Sequence, residues 1–324
     1  MPLITDTPPP KVAEELVALR ADLDARIPSK QMDRNVLVAT WNLRQFGGLT
    51  EKWASESGDT PQRDLQSLLA IAEIIAHFDV IAVQEVRADL KAFRHMLKAM
   101  PPTWQFLLTD VCRGDAGNGE RMAFLFDTRK VALSGLACEL VVPKEQLDAV
   151  GPDALTRQFA RTPYAVAFRS GERTFILVTL HIDYGDKSAD RVPELKAIAR
   201  WMADWAGDVN AYDHNLIALG DFNIDRQGDP LYQAFIETGL TVPPELQGVP
   251  RTLFTDPAKP LEHYFDQIAW FPKGGGRPAL SLTYQTGGHY DFRPTAMPSR
   301  ALTDDALSRH ISDHFPLWVE FGTR

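Results

Sequence analysis

Short apolar runs that break off at an acid, an amide or a histidine constrain this 324-residue chain more than any other feature. VLVATWNL (36–43) reaches Asn42, and Glu85 interrupts DVIAVQEV (79–86). RTFILVTLHI (173–182) reaches His181, and NLIALGDFNI (215–224) reaches Asp221 and Asn223. Asp266 opens the apolar part of YFDQIAWF (264–271), and Asp313 and His314 stand just before FPLWVEF (315–321). Runs this short and this rich in β-branched residues read as strands covered on both faces. A carboxylate buried there without a partner is strongly unfavourable. Either each has its own structural partner, or they converge on one site with a cation.

The remaining segments fill in an α/β architecture. RMAFLFD (121–127) and PYAVAFR (163–169) read as further strands. Apolar residues at three- and four-residue steps predict helices over 11–27, 64–78, 90–100 and 193–206. Residues 47–63 read as a loop, 1–10 as disordered, and 141–160, 240–260 and 285–310 as irregular or partly helical. Many strands without strict βαβ alternation favour two packed sheets with helices outside. The expected organisation is an N-terminal extension with an accessory helix (1–35) followed by one catalytic domain (36–324).

Charge narrows the function. A formal net charge of −9 argues against a wide basic platform for nucleic acid. It leaves nucleic acid open as a substrate, because a site that holds a divalent cation collects carboxylates. No apolar run approaches the roughly 18 residues of a membrane span. The N-terminus lacks a basic start followed by an apolar stretch, so a cytoplasmic location is expected. Cys112 and Cys138 read as reduced thiols, and no zinc spacing is present. Trp201 and Trp205 read as core, and His77, His95, His214, His263 and His310 as structural or surface residues. Nothing points to an obligate protein partner.

Taken singly, each polar residue has an ordinary use. Asn42 serves as a cap, His181 as a satisfied core histidine, Asp221 and Asn223 as an Asx-turn, and Asp313 as a turn residue. Jointly, at the ends of several strands, they read as a site.

At this point a resemblance emerges. WNLRQFG, AVQEVR, LHIDYG, GDFNID, FDQIAW and ISDHFPL follow one another from about Val36 to Phe321. In order and spacing they resemble the motifs of the endonuclease/exonuclease/phosphatase superfamily, and most of all its deoxyribonuclease I and cytolethal distending toxin branch. The resemblance implies a four-layered αββα sandwich, deoxyribonuclease-I-like, with a cleft at one edge of the paired sheets. It implies a hydrolase that uses Mg²⁺ or Mn²⁺, with Ca²⁺ as a possible structural ion. Glu85 and Asn42 are then the expected metal residues, with Asp313 as a further ligand or its support. His314 resembles the general base, oriented by Asp266. His181 resembles the histidine that contacts phosphate or assists the leaving group, and Glu120 supports it. Asp221 and Asn223 would position phosphate and water, and Arg44, Arg87 and Arg161 would touch substrate. Met122 stands where deoxyribonuclease I has an aromatic for packing against nucleic acid, which puts duplex engagement in question. The segment 285–300 lies outside the motifs and is read as lining the cleft mouth.

Three functions are compatible with this pattern. The first is a DNA endonuclease of low sequence specificity, which would nick plasmid. The second is a phosphatase or phosphodiesterase on a small or lipid phosphate ester, which would turn that ester over without nicking. The third is a scaffold that has lost chemistry. The competent side chain at every motif position speaks against the scaffold.

Overall fold

The computed structural model describes residues 1–112, 118–140, 161–185, 187–208, 212–259, 261–272 and 280–324. One six-stranded sheet has the order β10-β11-β1-β2-β4-β3. These strands are β1 (Asn35–Phe46), β2 (Val80–Arg87), β3 (Trp104–Leu108), β4 (Glu120–Asp127), β10 (Thr283–His289) and β11 (Leu317–Gly322). A five-stranded sheet has the order β5-β6-β7-β8-β9. Its strands are β5 (Ala132–Glu139), β6 (Tyr164–Ser170), β7 (Arg173–His181), β8 (Leu216–Asp221) and β9 (Asp266–Trp270).

Alternation along the strands builds the layers. In β1, Val36 and Val38 join a core shared with the second sheet, where Phe124, Val166, Phe168 and Leu177 meet them. The intervening Leu37, Ala39 and Trp41 join a second core. That core is closed by α1 (Pro10–Arg26), α2 (Leu65–Ala76) and α3 (Lys91–Ala99) through Leu19, Leu23, Ile71, Ile75 and Phe93. Helices α4 (Ser188–Gly207) and α5 (Pro230–Ile236) cover the second sheet with Leu195, Ile198, Met202 and Phe235. A short α6 (Asp304–His310) precedes the last strand. The result is the expected four-layered αββα sandwich.

Several local expectations change. Ile4 is buried in the helix-side core, so the N-terminal residues are anchored rather than disordered. The segment 285–300 combines an edge strand with buried core residues. It begins in β10, an edge strand, and continues into Tyr290, Phe292 and Met297, all buried in the helix-side core. Met122 is 2% exposed in the core between the sheets, so it has no surface with which to meet a substrate. The irregular stretch 141–160 lies outside the described residues. Among the described residues no helix is long and apolar enough to cross a membrane.

The pairing directions bring the polar strand ends together. β1 runs parallel to β2, and β7 parallel to β8, so Asn42, Glu85, His181 and Asp221 end at one edge. β4 and β9 run antiparallel to these, so they start at that edge with Glu120 and Asp266. His181 pairs in register with Asp221, Asp221 with Asp266, and Arg87 with Glu120.

Candidate active site

At that edge the neighbouring strands β7 and β8 meet backbone to backbone. Gly220 on β8 has φ +145°, and a Cβ added there would lie 2.1 Å from the Leu180 carbonyl oxygen on β7. Only glycine tolerates both that conformation and that contact. The next rung of the ladder is His181 beside Asp221.

Elsewhere the edge is irregular. Both β1 and β2 bulge where they reach it, between Asn42 and Phe46 and between Val83 and Val86. Arg44, Gln45, Glu85 and Asn223 adopt positive φ values of 39–60°. Non-glycine residues in this region are strained, and bulges re-aim side chains at such rims. Glu85 is the residue so re-aimed. Its Oε2 accepts from the Gln45 N–H (2.7 Å), and its Oε1 accepts from Asn42 Nδ2 (2.9 Å).

Asn42 joins the two sheets. Its Nδ2 also donates to Asp221 Oδ2 (3.0 Å), while its Oδ1 accepts from the Arg44 N–H (2.9 Å). In this arrangement the amide nitrogen, rather than the oxygen a cation prefers, faces the two acids. Asn42 therefore bridges Glu85 and Asp221 in this arrangement. Behind it, Ser312 Oγ donates to the Asn42 carbonyl (2.5 Å) and accepts from the His314 N–H (3.0 Å).

On the second sheet His314 Nδ1 lies 2.6 Å from Asp266 Oδ2, and both residues are buried. His314 Nε2 is 4.0 Å from Asp221 Oδ2, and His181 Nε2 is 3.8 Å from the same oxygen. Burial opposes the proton on His314, but Asp266, Asp221 and Asp313 outweigh it and raise its proton affinity well above the ordinary histidine value. Burial raises Asp266 to about 6 against the pull of His314. Asp221 feels the same burial, yet the two histidines and the Asn42 and Asn223 hydrogen bonds hold it below the usual carboxylate range.

Glu120 gathers a third set of groups. It accepts from Arg161 Nε (2.7 Å), Arg87 Nη1 (3.1 Å) and Asn118 Nδ2 (2.7 Å), and lies 3.2 Å from His181 Nδ1. Burial pushes its carboxyl up, but His181, Arg161 and Arg87 together hold it down. Arg161 is itself buried, so it supports Glu120 and His181 rather than standing open to solvent. Arg44 lies 3.8 Å from Asp313 and donates to Ser308 Oγ. Asn223 Nδ2 donates to the Ile182 carbonyl (2.7 Å), and its own carbonyl accepts from Arg191.

Two buried arginines that sequence reasoning left aside position these parts. Arg63, in the loop before α2, is 3% exposed, and among the described residues no carboxylate pairs with it. Its Nη2 donates to the Leu43, Arg44 and Ile311 carbonyls (2.9, 3.0 and 2.9 Å). Nη1 and Nε donate to the Gln45 and His310 carbonyls, both at 3.2 Å. It thereby ties the loop beside Glu85 to the segment leading into Asp313 and His314. Arg251 donates to the Asp266 carbonyl (2.9 Å) and stacks on Tyr264 with its guanidinium 4.1 Å from the ring centre.

The donors present suit a divalent cation. Asp221, Asp266 and His314 each offer a ligand atom within 4.8 Å of the others. Among the described residues Asp266 Oδ1 is buried with no hydrogen-bond partner. Half-buried Glu85 adds a carboxylate with lone pairs to spare beyond its two hydrogen bonds.

A two-sheet sandwich with acids and imidazoles converging at one edge is the architecture of a phosphoester hydrolase. The chain belongs to the Endonuclease/Exonuclease/phosphatase family, whose model matches residues 39–314. A deoxyribonuclease of a Thioalkalivibrio species is 28% identical over 299 residues, which cover 88% of this chain and 70% of the relative. Among solved structures, the mannosyl-6-phosphatase of Bacteroides thetaiotaomicron superposes with a TM-score of 0.57 at 21% identity, covering 88% of this chain and 99% of that one. The human Nocturnin catalytic domain gives 0.56 at 15% identity, covering 90% and 95%. TDP2 of D. rerio, in a complex with single-strand DNA product, gives 0.54 at 13%, covering 89% and 98%.

Proposed function

We propose that this hydrolase is a divalent-cation-dependent DNA endonuclease of low sequence specificity. The observation that carries the reading is the buried His314–Asp266 pair at 2.6 Å, set against Asp221 and His181 at the cleft edge. The similarity to a deoxyribonuclease over 88% of the chain supports DNA as the ester.

Glu85 would hold the cation, preferably Mg²⁺ or Mn²⁺, with Asp221 as the nearest second carboxylate across Asn42. When bound, the ion supplies charge neutralisation at the phosphate. Asp266 keeps the Nδ1 proton of His314 in place and leaves Nε2 as the atom that takes a proton from water. The acids around His314 favour a second proton on it, and a bound cation offsetting the charge of Asp221 would favour the neutral imidazole that a general base requires. His181, set between Glu120 and Asp221, is placed to donate to a phosphate or leaving oxygen. Asp221 and Asn223 align the phosphate and the water, and Arg44 is the half-buried cation left to meet the backbone.

One observation favours a small phosphate ester as the second reading. Two of the three arginines expected to touch substrate, Arg87 and Arg161, are paired to Glu120.

Incubating supercoiled plasmid with the protein in EDTA, Mg²⁺ or Mn²⁺, beside His314→Ala, separates the readings. Metal-dependent nicking that the variant loses is the expected result. Absence of nicking in every condition, with turnover of mononucleotides or sugar phosphates, would reject the nuclease reading in favour of the second.

A further inference from the structure

A cavity of about 840 Å³ opens immediately beside the site, and no residue role described so far uses it. Its walls continue three of the site segments. Tyr184 follows His181, Asp225 and Arg226 follow Asn223, and His263 precedes Asp266. A volume of this size falls within the range of small-ligand pockets.

A line of rings leads from the cavity to the chemistry. Tyr184 meets Phe265 edge-on at 6.4 Å, and His263 lies over Phe265 at 5.5 Å. Phe265 in turn lies 5.8 Å from the His314 ring, tilted by 34°. The Tyr184 side chain is 57% exposed, although the buried Arg191 guanidinium sits 4.7 Å from its ring centre. His263 is exposed and held at φ +54°, another strained residue beside the site.

The charges in the wall select against a second phosphate. Among the described lining residues Arg191 and Arg226 face Asp225, Asp229 and Glu262, two cations against three acids. The acids already have partners. Asp225 accepts from Arg191 and Ser188, Asp229 from the Tyr232 and Arg226 N–H groups, and Glu262 lies 3.5 Å from Lys259. What the cavity leaves open to a ligand is the face of an aromatic ring, an imidazole and the exposed Arg226 guanidinium. Those groups suit a flat, neutral, π-faced ligand.

We propose that this cavity receives one unstacked nucleobase of the strand being cut, the base flanking the scissile phosphate, packed on Tyr184 and His263. The assignment rests on the nuclease reading and deepens it. A base reaches such a cavity only after leaving its stack, so the favoured substrate is single-stranded or locally unpaired DNA.

The test uses a fluorescent single strand whose phosphates are methylphosphonates except for one natural diester. It is made in three forms: complete, abasic on the 5′ side of that diester, and abasic on the 3′ side. Each is given with Mg²⁺ to the wild-type protein and to Tyr184→Ala, with plasmid nicking run alongside. Base–aromatic stacking predicts that one abasic form loses about tenfold in kcat/KM with the wild type. Tyr184→Ala should lose a similar factor on the complete strand and almost nothing further on that abasic form. Equal losses for Tyr184→Ala on all strands, or no abasic effect in the wild type, would overturn the cavity assignment while leaving the nuclease reading intact. Plasmid nicking without single-strand cleavage would do the same. If neither DNA is cut, the nuclease reading itself falls, and this assignment with it.

Discussion

Replacing Arg63 is the sharpest test of how this edge is held together. Burial lowers its proton affinity to about 10, so it stays charged at neutral pH with five backbone carbonyls as its partners. Arg63→Met keeps an unbranched chain of similar reach and removes every donor. Each carbonyl left unsatisfied in the interior costs about 1–3 kcal/mol, so taking the low end for all five gives about 5 kcal/mol. That equals the whole stability of a marginal domain. Arg63→Lys restores at most three hydrogens and should cost about 2 kcal/mol, or roughly 3 °C in Tm for a chain of this size. Urea titration followed by circular dichroism, with thermal melts, reads both variants. The Lys variant should also fold with reduced kcat, because the clamped segments carry Gln45, which holds Glu85, and lead to His314. A Met variant within 1 kcal/mol of the wild type would refute the argument, since water would then be satisfying those carbonyls.

Asp266→Asn keeps the shape at 2.6 Å from His314 and removes the charge; kcat on DNA should fall at least a hundredfold with KM within twofold, and a loss below threefold would dismiss the dyad. Glu120→Gln removes the nearer of the two carboxylates beside buried Arg161 and leaves Asp183 at 3.9 Å, so a loss of about 3 kcal/mol is expected in urea unfolding, and an unchanged midpoint would show that the pair is dispensable. His310 and His289 are each pushed by burial to about 4, below the unfolded value of 6.5. The unfolded chain therefore binds protons that the folded one refuses. Their contribution is complete above pH 6.5 and is lost as pH falls toward 4. Because the raised Asp266 and His314 act in the opposite sense, the check is a comparison: between pH 7 and pH 5 the wild type should lose more urea midpoint than a His289→Gln/His310→Gln variant, and parallel profiles would contradict these assignments.

The strands legible in the sequence and those that were not differ in one physical respect. β1, β2, β7, β8 and β11 are covered on both faces, and so carry continuous apolar runs. The three strands that left no such run, β3, β5 and β10, are edges of the two sheets. β5 shows why: its residues alternate between exposed and half-buried, and ALSGLACE reads as neither core nor helix. The polar residues of the site were visible because an acid inside an apolar run is conspicuous. Arg63 and Arg251 were not, because an arginine satisfied by carbonyls leaves no complementary residue in the sequence. Arg161 shows the converse limit: its motif drew attention, but only the fold shows that its charge points inward to Glu120.

The contact at Gly220 has a consequence for how such a hydrolase changes its substrate. The strand spacing beside the rung that carries His181 and Asp221 follows from backbone touching backbone at Gly220, with no side chain there that variation could enlarge or trim. The hydrolytic gap is therefore a fixed gauge, matched to the phosphate group and indifferent to what is esterified to it. New specificities must be written in the loops beyond the strand ends, where length and sequence are free. One gauge can then serve esters of very different size, from a sugar to a polynucleotide.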